Sequence, residues 1–236
     1  MRMVATEFEF RRRSLLNLVH FWIAFQLYSF DHINIVSAFA PWNSRGAATL
    51  ARVVFGVGAL LLAIAAAVRT WAAAYLQSDV VHDTALHTER IVADGPYRHV
   101  RNPLYIGTFL LTVGLGLLAS RSGFFVLAVG GAIRIRRLIG REELQLEKEQ
   151  GERYREFCRL VPRLFPSWHS RVPAAGLVPQ WRQAFLGEAV MWGFLVTMVA
   201  FTITLQSSVA KILGLATLAL WLLQRLTWSK KEQSSA

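Results

Sequence analysis

A single cysteine, Cys158, stands in the 236 residues of this chain, so no disulfide can form within it. No group of cysteine and histidine has the spacing of a zinc site or a redox pair. Charge is scarce as well. Only 17% of positions are charged while 54% are apolar, against roughly 25% and 45–50% in soluble domains. That balance excludes a disordered chain and argues against an ordinary soluble one. With a mean hydropathy of +0.36, the composition is that of an integral membrane protein. Acids are the scarcer sign, 15 against 26 Lys and Arg, leaving a formal net charge of +11. Such a surplus fits nucleic-acid binding or the basic face of a membrane protein, and the positions of the charges decide between them.

Six apolar runs, near 14–30, 47–74, 104–119, 124–139, 184–205 and 209–223, approach the roughly 20 residues that a helix needs to cross a bilayer core. The expected fold is therefore all-α, a polytopic transmembrane helical bundle of about six spans. If the amino terminus is cytoplasmic, the inner segments hold 22 of the 26 Lys and Arg. The outer loops hold only Arg45, Arg121 and Lys211, and Arg52 lies within the second span. Both termini are then cytoplasmic, the protein is multi-pass, and its basic surplus points to topology and membrane lipids rather than to nucleic acid. Ala38-Phe39-Ala40 has the small-x-small form of a signal-peptidase site. The apolar stretch before it is long for a signal peptide, however, and Asp31, His32 and Asn34 intervene.

Aqueous chemistry is expected in two cytoplasmic stretches, 75–103 and 140–183. The first ends in Gly95-Pro96-Tyr97-Arg98-His99-Val100-Arg101-Asn102-Pro103-Leu104-Tyr105-Ile106-Gly107. Asn102-Pro103 has the form of a helix start, Asn as N-cap and Pro at the first helical position. Its free N–H groups and Arg101 would welcome an anion at the membrane surface, although Tyr and Arg at headgroup level also serve as plain interfacial anchors. The second stretch carries Glu142 and Glu143 directly after a span, then Leu144, Tyr154, Phe157, Val161-Pro162-Arg163 and Pro166. Adjacent helical residues point about 100° apart, so one carboxylate can face a pocket while its neighbour pairs with an arginine. Farther on, Glu149 with Arg153 and Glu152 with Arg155 or Arg159 are spaced for surface pairs. Glycines 114, 116, 130 and 131 lie inside spans, where they favour close helix packing. Arg134, Arg136 and Arg137 can snorkel or, facing a cavity, hold an anionic lipid or carboxylate.

Taken in order, these motifs around one membrane hairpin resemble the isoprenylcysteine carboxyl methyltransferase family and the related phospholipid methyltransferases. The resemblance covers roughly residues 71–166, leaving 1–70 as two preceding spans and 167–236 as a further membrane hairpin with a short tail. It implies an S-adenosyl-L-methionine pocket at the cytoplasmic membrane surface and a lipophilic small-molecule or lipid acceptor. Position by position, the cofactor contacts fall on Glu89, Arg90, Ile91, Val92, Tyr97, Asn102, Pro103, Leu104, Tyr105 and Glu142. Arg101 and the helix start suit the cofactor's carboxylate, and Glu142 suits its ammonium. Two departures stand out. Asn102 replaces a frequent His, and Leu138 stands where prenylcysteine enzymes place an arginine that contacts substrate. The expected catalytic residues are Arg136, Arg137 or Arg141, orienting a carboxylate acceptor that is ionised already, or Glu143, taking a proton from an ammonium acceptor. A carboxyl acceptor is the leading expectation. The competing readings are an NADPH-dependent membrane reductase of the sterol-reductase type, which shares a similar Arg-x-Pro-x-Tyr element, and a non-catalytic membrane protein on the same scaffold.

Overall fold

The computed structural model describes residues 3–40, 42–76 and 93–234, with the backbone only for 227–234. Among these residues the chain is helical, and no strand forms. Local signals set most helix ends. Thr6 and Glu9 close a capping box on α1 (Glu7–Arg11), and Asn34 and Ser37 close one on α3 (Ile35–Phe39), each pair satisfying two backbone N–H groups. Between them runs α2 (Arg13–Gln26), and after them the long α4 (Ala47–Tyr75). Pro103 opens α5 (Pro103–Gly116). Ser120 accepts from Gly123 N at 3.1 Å and starts α6 (Arg121–Phe125). A π-turn at Val126–Gly130 joins α6 to α7 (Gly131–Gln150). Gly151, at φ +57°, then breaks the chain before α8 (Glu152–Leu160). Helices α9 (Trp181–Gly187) and α10 (Ala189–Thr204) meet at a 59° bend, and α11 (Ser207–Ser234) closes the bundle.

The chain passes back and forth between two ends. At the first, Tyr28 donates to the Leu118 carbonyl at 2.9 Å, Ser122 N to Asp31 at 2.8 Å and Arg121 N to the Ile33 carbonyl at 2.7 Å. At the second, Gln180 N donates to the Ala74 carbonyl at 2.7 Å, Ser167 N to that of His99 at 3.0 Å, and the Gln224 side chain to that of Leu186 at 2.7 Å. Helices α2, α4, α5, α6 with α7, α9 with α10, and α11 alternate in direction between these ends, one for each apolar run in the sequence. Among the described residues two helices, Ala47–Tyr75 and Ser207–Leu226, are long and apolar enough to cross a membrane, or three if the bent α9–α10 pair counts as one span. The 14 residues of α5 reach about 21 Å at 1.5 Å per residue, short of a bilayer core of roughly 30 Å.

Helix α4 is the axis of the bundle, lying between α5 and α10. Phe55, Leu62 and Ala65 of α4 meet Leu111 and Leu115 of α5 and Met198 of α10 in one buried cluster, with Val36 closing the first end. The two helices approach closely because a Cβ on Gly114 would come within 3.0 Å of the Gly58 carbonyl.

Candidate active site

Between α2 and α10–α11, with α5 and α7 as its floor and near wall, a cavity of about 1430 Å³ runs much of the way between the two ends of the bundle. Phe21, Phe25, Leu111, Leu115, Phe194 and Phe201 line its middle. Tyr97, Arg101, Asn102, Pro103, Leu104, Tyr105, Glu142 and Glu143 gather at its second end. These are the sequence-expected residues of both motifs, 40 positions apart and brought together by the α5–α7 hairpin. Glu89, Arg90, Ile91 and Val92 lie outside the described residues.

The two neighbouring carboxylates have separate duties. Glu143 is held by Arg101 at 3.1 Å and by Arg163 at 2.8 Å. Arg101 also reaches the Cys158 sulfur at 2.6 Å, which ties α8 to the start of α5. Asn102 joins this clamp instead of capping α5. Its amide donates to the Arg163 carbonyl at 3.1 Å and to Glu143 at 3.4 Å, and no side-chain cap bond forms. The expected Asn cap is thus corrected: a carbonyl and a carboxylate from the 143–163 segment compete for the same amide. The first turn of α5 therefore opens on the cavity without a side-chain cap, its N–H groups available to another acceptor.

Glu142 faces the cavity with one oxygen bound by the Tyr105 hydroxyl at 2.7 Å. Burial raises its pKa above the usual carboxylate range, opposed by the Tyr105 hydrogen bond and the Arg13 charge and reinforced by Glu143. Beside it Tyr97 is buried, and its hydroxyl has no hydrogen-bond partner among the described residues. Burial likewise pushes the Tyr97 phenol well above its ordinary range, so it stays a donor. An uncapped helix start, an open carboxylate oxygen and an orphaned hydroxyl thus share one cavity wall, a set whose chemistry suits an anion at the helix start and a cation at Glu142.

Arg137 and Arg141 do not line this cavity. Arg137 pairs with Glu9 at 2.8 Å, while Arg141 pairs with Glu7 and donates to the Ala5 carbonyl at 3.3 Å. Both hold the amino-terminal arm, in which Ala5 N also donates to the Arg137 carbonyl at 3.0 Å. Their predicted contact with an acceptor has no counterpart in this arrangement. The surface pairs also differ in part, since Glu149 accepts from Gln145 while Arg155 bridges Glu147 at 3.0 Å and Glu152 at 3.3 Å.

Two features escaped the sequence reading. Arg69 and Glu188 form a bidentate pair, both bonds 2.7 Å, in the cavity wall; Arg69 also donates to Thr108 at 2.8 Å. Each is a lone charge at the edge of an apolar run, which in a membrane protein is a reason to look for its partner. Next, α10 and α11 supply one side of the cavity through Glu188, Met191, Phe194, Lys211 and Trp221. The last two helices are thus part of the site. Of the three arginines that the sequence allowed to snorkel or to face a cavity, Arg134 lines it, two turns from Glu142 on the same face of α7.

Residues 51–153 match the family model of the phospholipid methyltransferases. The matched segment, somewhat under half of the chain, takes in α4, the Gly-Pro-Tyr-Arg motif, the α5–α7 hairpin and both glutamates. It is similar to the phospholipid branch of the two groups that the motifs resemble. No curated protein and no solved structure matches the chain.

Proposed function

We propose that this chain is an integral membrane methyltransferase that uses S-adenosyl-L-methionine to methylate a lipid-like acceptor. The observation that carries the reading is the meeting of both motif segments at one end of an apolar cavity, with a free carboxylate oxygen, an orphaned tyrosine hydroxyl and an uncapped helix start. The family match over 51–153 supports it. It also weighs against the reductase alternative. In this reading the six antiparallel helices cross the bilayer with both termini cytoplasmic, and the short α5 sits where the cavity thins the apolar layer.

When bound, the cofactor supplies a methyl group already activated on a sulfonium. The residues of this chain have the remaining work. Glu142 would hold the cofactor's ammonium, the N–H groups of Leu104 and Tyr105 would hold its carboxylate, and the Tyr97 hydroxyl would supply a further donor. The clamp of Glu143 with Arg101, Arg163 and Asn102 holds α8 and the 161–166 segment over this end and excludes water. The acceptor's hydrocarbon lies along Phe21, Phe25, Leu111 and Phe194. Holding donor and acceptor in line contributes several kcal/mol by proximity alone. A carboxylate acceptor, with a pKa of about 4, is ionised and needs no base. An amine, with a pKa of about 10, must first lose its proton. With both Glu143 oxygens engaged by guanidinium groups, the carboxylate acceptor asks less of the site, whereas the phospholipid match favours the amine.

Incubating membranes that contain the chain with methyl-labelled cofactor, then extracting lipids, tests this directly. Label in a lipid fraction is expected. Release of that label as methanol in mild alkali identifies a methyl ester, and retention identifies an N-methyl group. No labelled lipid, together with binding of NADPH and not of S-adenosylhomocysteine, overturns the reading.

A further inference from the structure

Several charges line the cavity, and Arg134 is one that the reaction as described does not use. Arg134 sits within the fourth apolar run, half-buried, and its Nε and Nη1 are buried without a hydrogen-bond partner among the described residues. No carboxylate among the described residues pairs with it. Its charged neighbours do not answer the need: Arg13 has the same sign, and His20 points its Nε2 at the Val126 carbonyl, 2.9 Å away. The other polar groups that line this part of the cavity, Ser14, Asn17 and Thr112, carry no charge. A guanidinium cannot shed its proton, and a buried one with unmade hydrogen bonds costs several kcal/mol unless an anion completes it. Arg137 shows the contrast, because one helical turn away it finds Glu9.

Position sharpens the point. Arg134, Leu138 and Glu142 succeed one another at four-residue intervals and line the same cavity, so Arg134 lies about 12 Å from Glu142 along the helix. Helical side chains lean toward the amino terminus, which carries the guanidinium farther from Glu142 and deeper into the apolar part. The cofactor end and the Arg134 end of the groove are therefore separate subsites.

We infer that Arg134 is the anion-binding residue of the acceptor site, holding a phosphate or carboxylate group of an amphiphile whose hydrocarbon fills the groove. The inference rests on the lipid-acceptor reading above and names the acceptor as an acidic lipid, whichever group is methylated. The fork geometry of arginine suits either oxygen acid bidentately.

The full chain, purified in a neutral detergent, is titrated with hexadecyl phosphate, hexadecanoate and hexadecanol. The phosphate or the carboxylate is expected to bind about tenfold or more tighter than the alcohol, as a charge-assisted pair requires. Arg134→Gln is expected to erase that preference while leaving affinity for the alcohol unchanged. Arg134→Lys keeps the charge without the fork and is expected to lower the preference severalfold, which provides a readout even if the glutamine variant does not fold. The tighter of the two acids distinguishes a phospholipid-like acceptor from a lipid carboxylate. Equal binding of acid and alcohol by the parent overturns the inference, as does an acid preference that survives in Arg134→Gln. S-adenosylhomocysteine titrated in the same samples separates this outcome from the methyltransferase reading: an acid preference that depends on Arg134, without S-adenosylhomocysteine binding, keeps the anion site and removes the transferase.

Discussion

Glu142 is expensive to keep. Burial raises its pKa, so its charged form is less stable in the folded protein than in water, and that cost is present at every pH above the raised value. It is relieved as pH falls through that value and the group takes up a proton. Glu142→Gln is accordingly expected to melt no lower than the parent at neutral pH, while S-adenosylhomocysteine binds about tenfold or more weakly to it, the loss expected for a charged hydrogen bond. The pH dependence follows the same sign. Affinity in the parent should fall with acidification already above the usual carboxylate range, and the Gln variant should be flat across that window. Isothermal titration at several pH values and thermal unfolding in detergent measure both. Tyr97→Phe removes an orphaned hydroxyl that bonds nothing among the described residues, so it should also spare stability, and it should weaken the ligand severalfold. At this scale the sequence showed that two adjacent glutamates would point apart, and it located them beside the Asn102-Pro103 segment. Which one turns toward Arg101 and Arg163 depends on the docking of α8, a long-range contact that helical spacing does not encode. The same holds for Arg137 and Arg141. Their partners Glu7 and Glu9 lie on an arm about 130 residues away in sequence.

Among the elements, the joint of α4 with the α9–α10 bend rests on a buried charge pair. Glu188 is 2% exposed and takes both of its bonds from Arg69. Removing one partner strands the other, which typically costs about 3–5 kcal/mol, whereas an apolar pair of similar volume can be nearly neutral. Arg69→Met is thus expected to unfold at much lower denaturant, and Arg69→Met with Glu188→Met to recover a large part of the loss. A double-mutant cycle reads the coupling. Close backbone contacts give a second test. A Cβ on Gly123 would lie 2.3 Å from the Ala24 carbonyl, whereas one on Gly214 meets only Thr197, at 4.0 Å. Gly123→Ala should destabilise by about 1–3 kcal/mol through overpacking, and Gly214→Ala should be neutral or slightly stabilising, since alanine favours a helix. Helix existence was legible because apolar runs, Pro103 and the Gly-Pro pair are local signals. The missing cap at Asn102 was not legible, since its amide is taken by groups from 143 and 163. The role of α10 and α11 in the site was hidden for a related reason. Their inward residues, Met191, Phe194 and Trp221, are indistinguishable in sequence from those facing lipid.

For the whole molecule, charge and geometry converge on one arrangement. The end built from residues 28–34 and 118–122 carries few basic groups, with Arg121 near Asp31 at 3.7 Å. The other end gathers Arg98, Arg101, Arg163 and Arg171, and the irregular 161–180 segment is pinned there by Asp94, which accepts from Ala175 N and Leu177 N at 2.9 Å each. Basic segments resist translocation, which supports the proposed orientation with the richer end in the cytoplasm. The lengths of α2 and α5 pull the other way. Taken singly, each is shorter than a bilayer core, and a four-helix or two-helix topology would leave them lying at the surface. Contacts at both of their ends support the proposal that they cross. Tyr28 and Leu118, at the far ends of these two helices, meet by a 2.9 Å hydrogen bond, while at their near ends Tyr105 donates to Glu142 and Arg13 lines the same cavity. Each therefore reaches from one end of the bundle to the other, with a loop extending what the helix itself lacks. Cysteine labelling decides the matter. In a Cys158→Ser background, Arg45→Cys and Gln206→Cys should react with a membrane-impermeant maleimide added to intact cells, whereas Ser170→Cys should react only after permeabilisation. Reaction of Ser170→Cys from outside would invert the molecule and move the proposed cofactor end away from the cytoplasmic supply on which the proposed chemistry depends. Protection of Arg45→Cys with Gln206→Cys exposed would place α2 and α4 in a hairpin that does not cross, and the groove would then open to lipid from one leaflet alone.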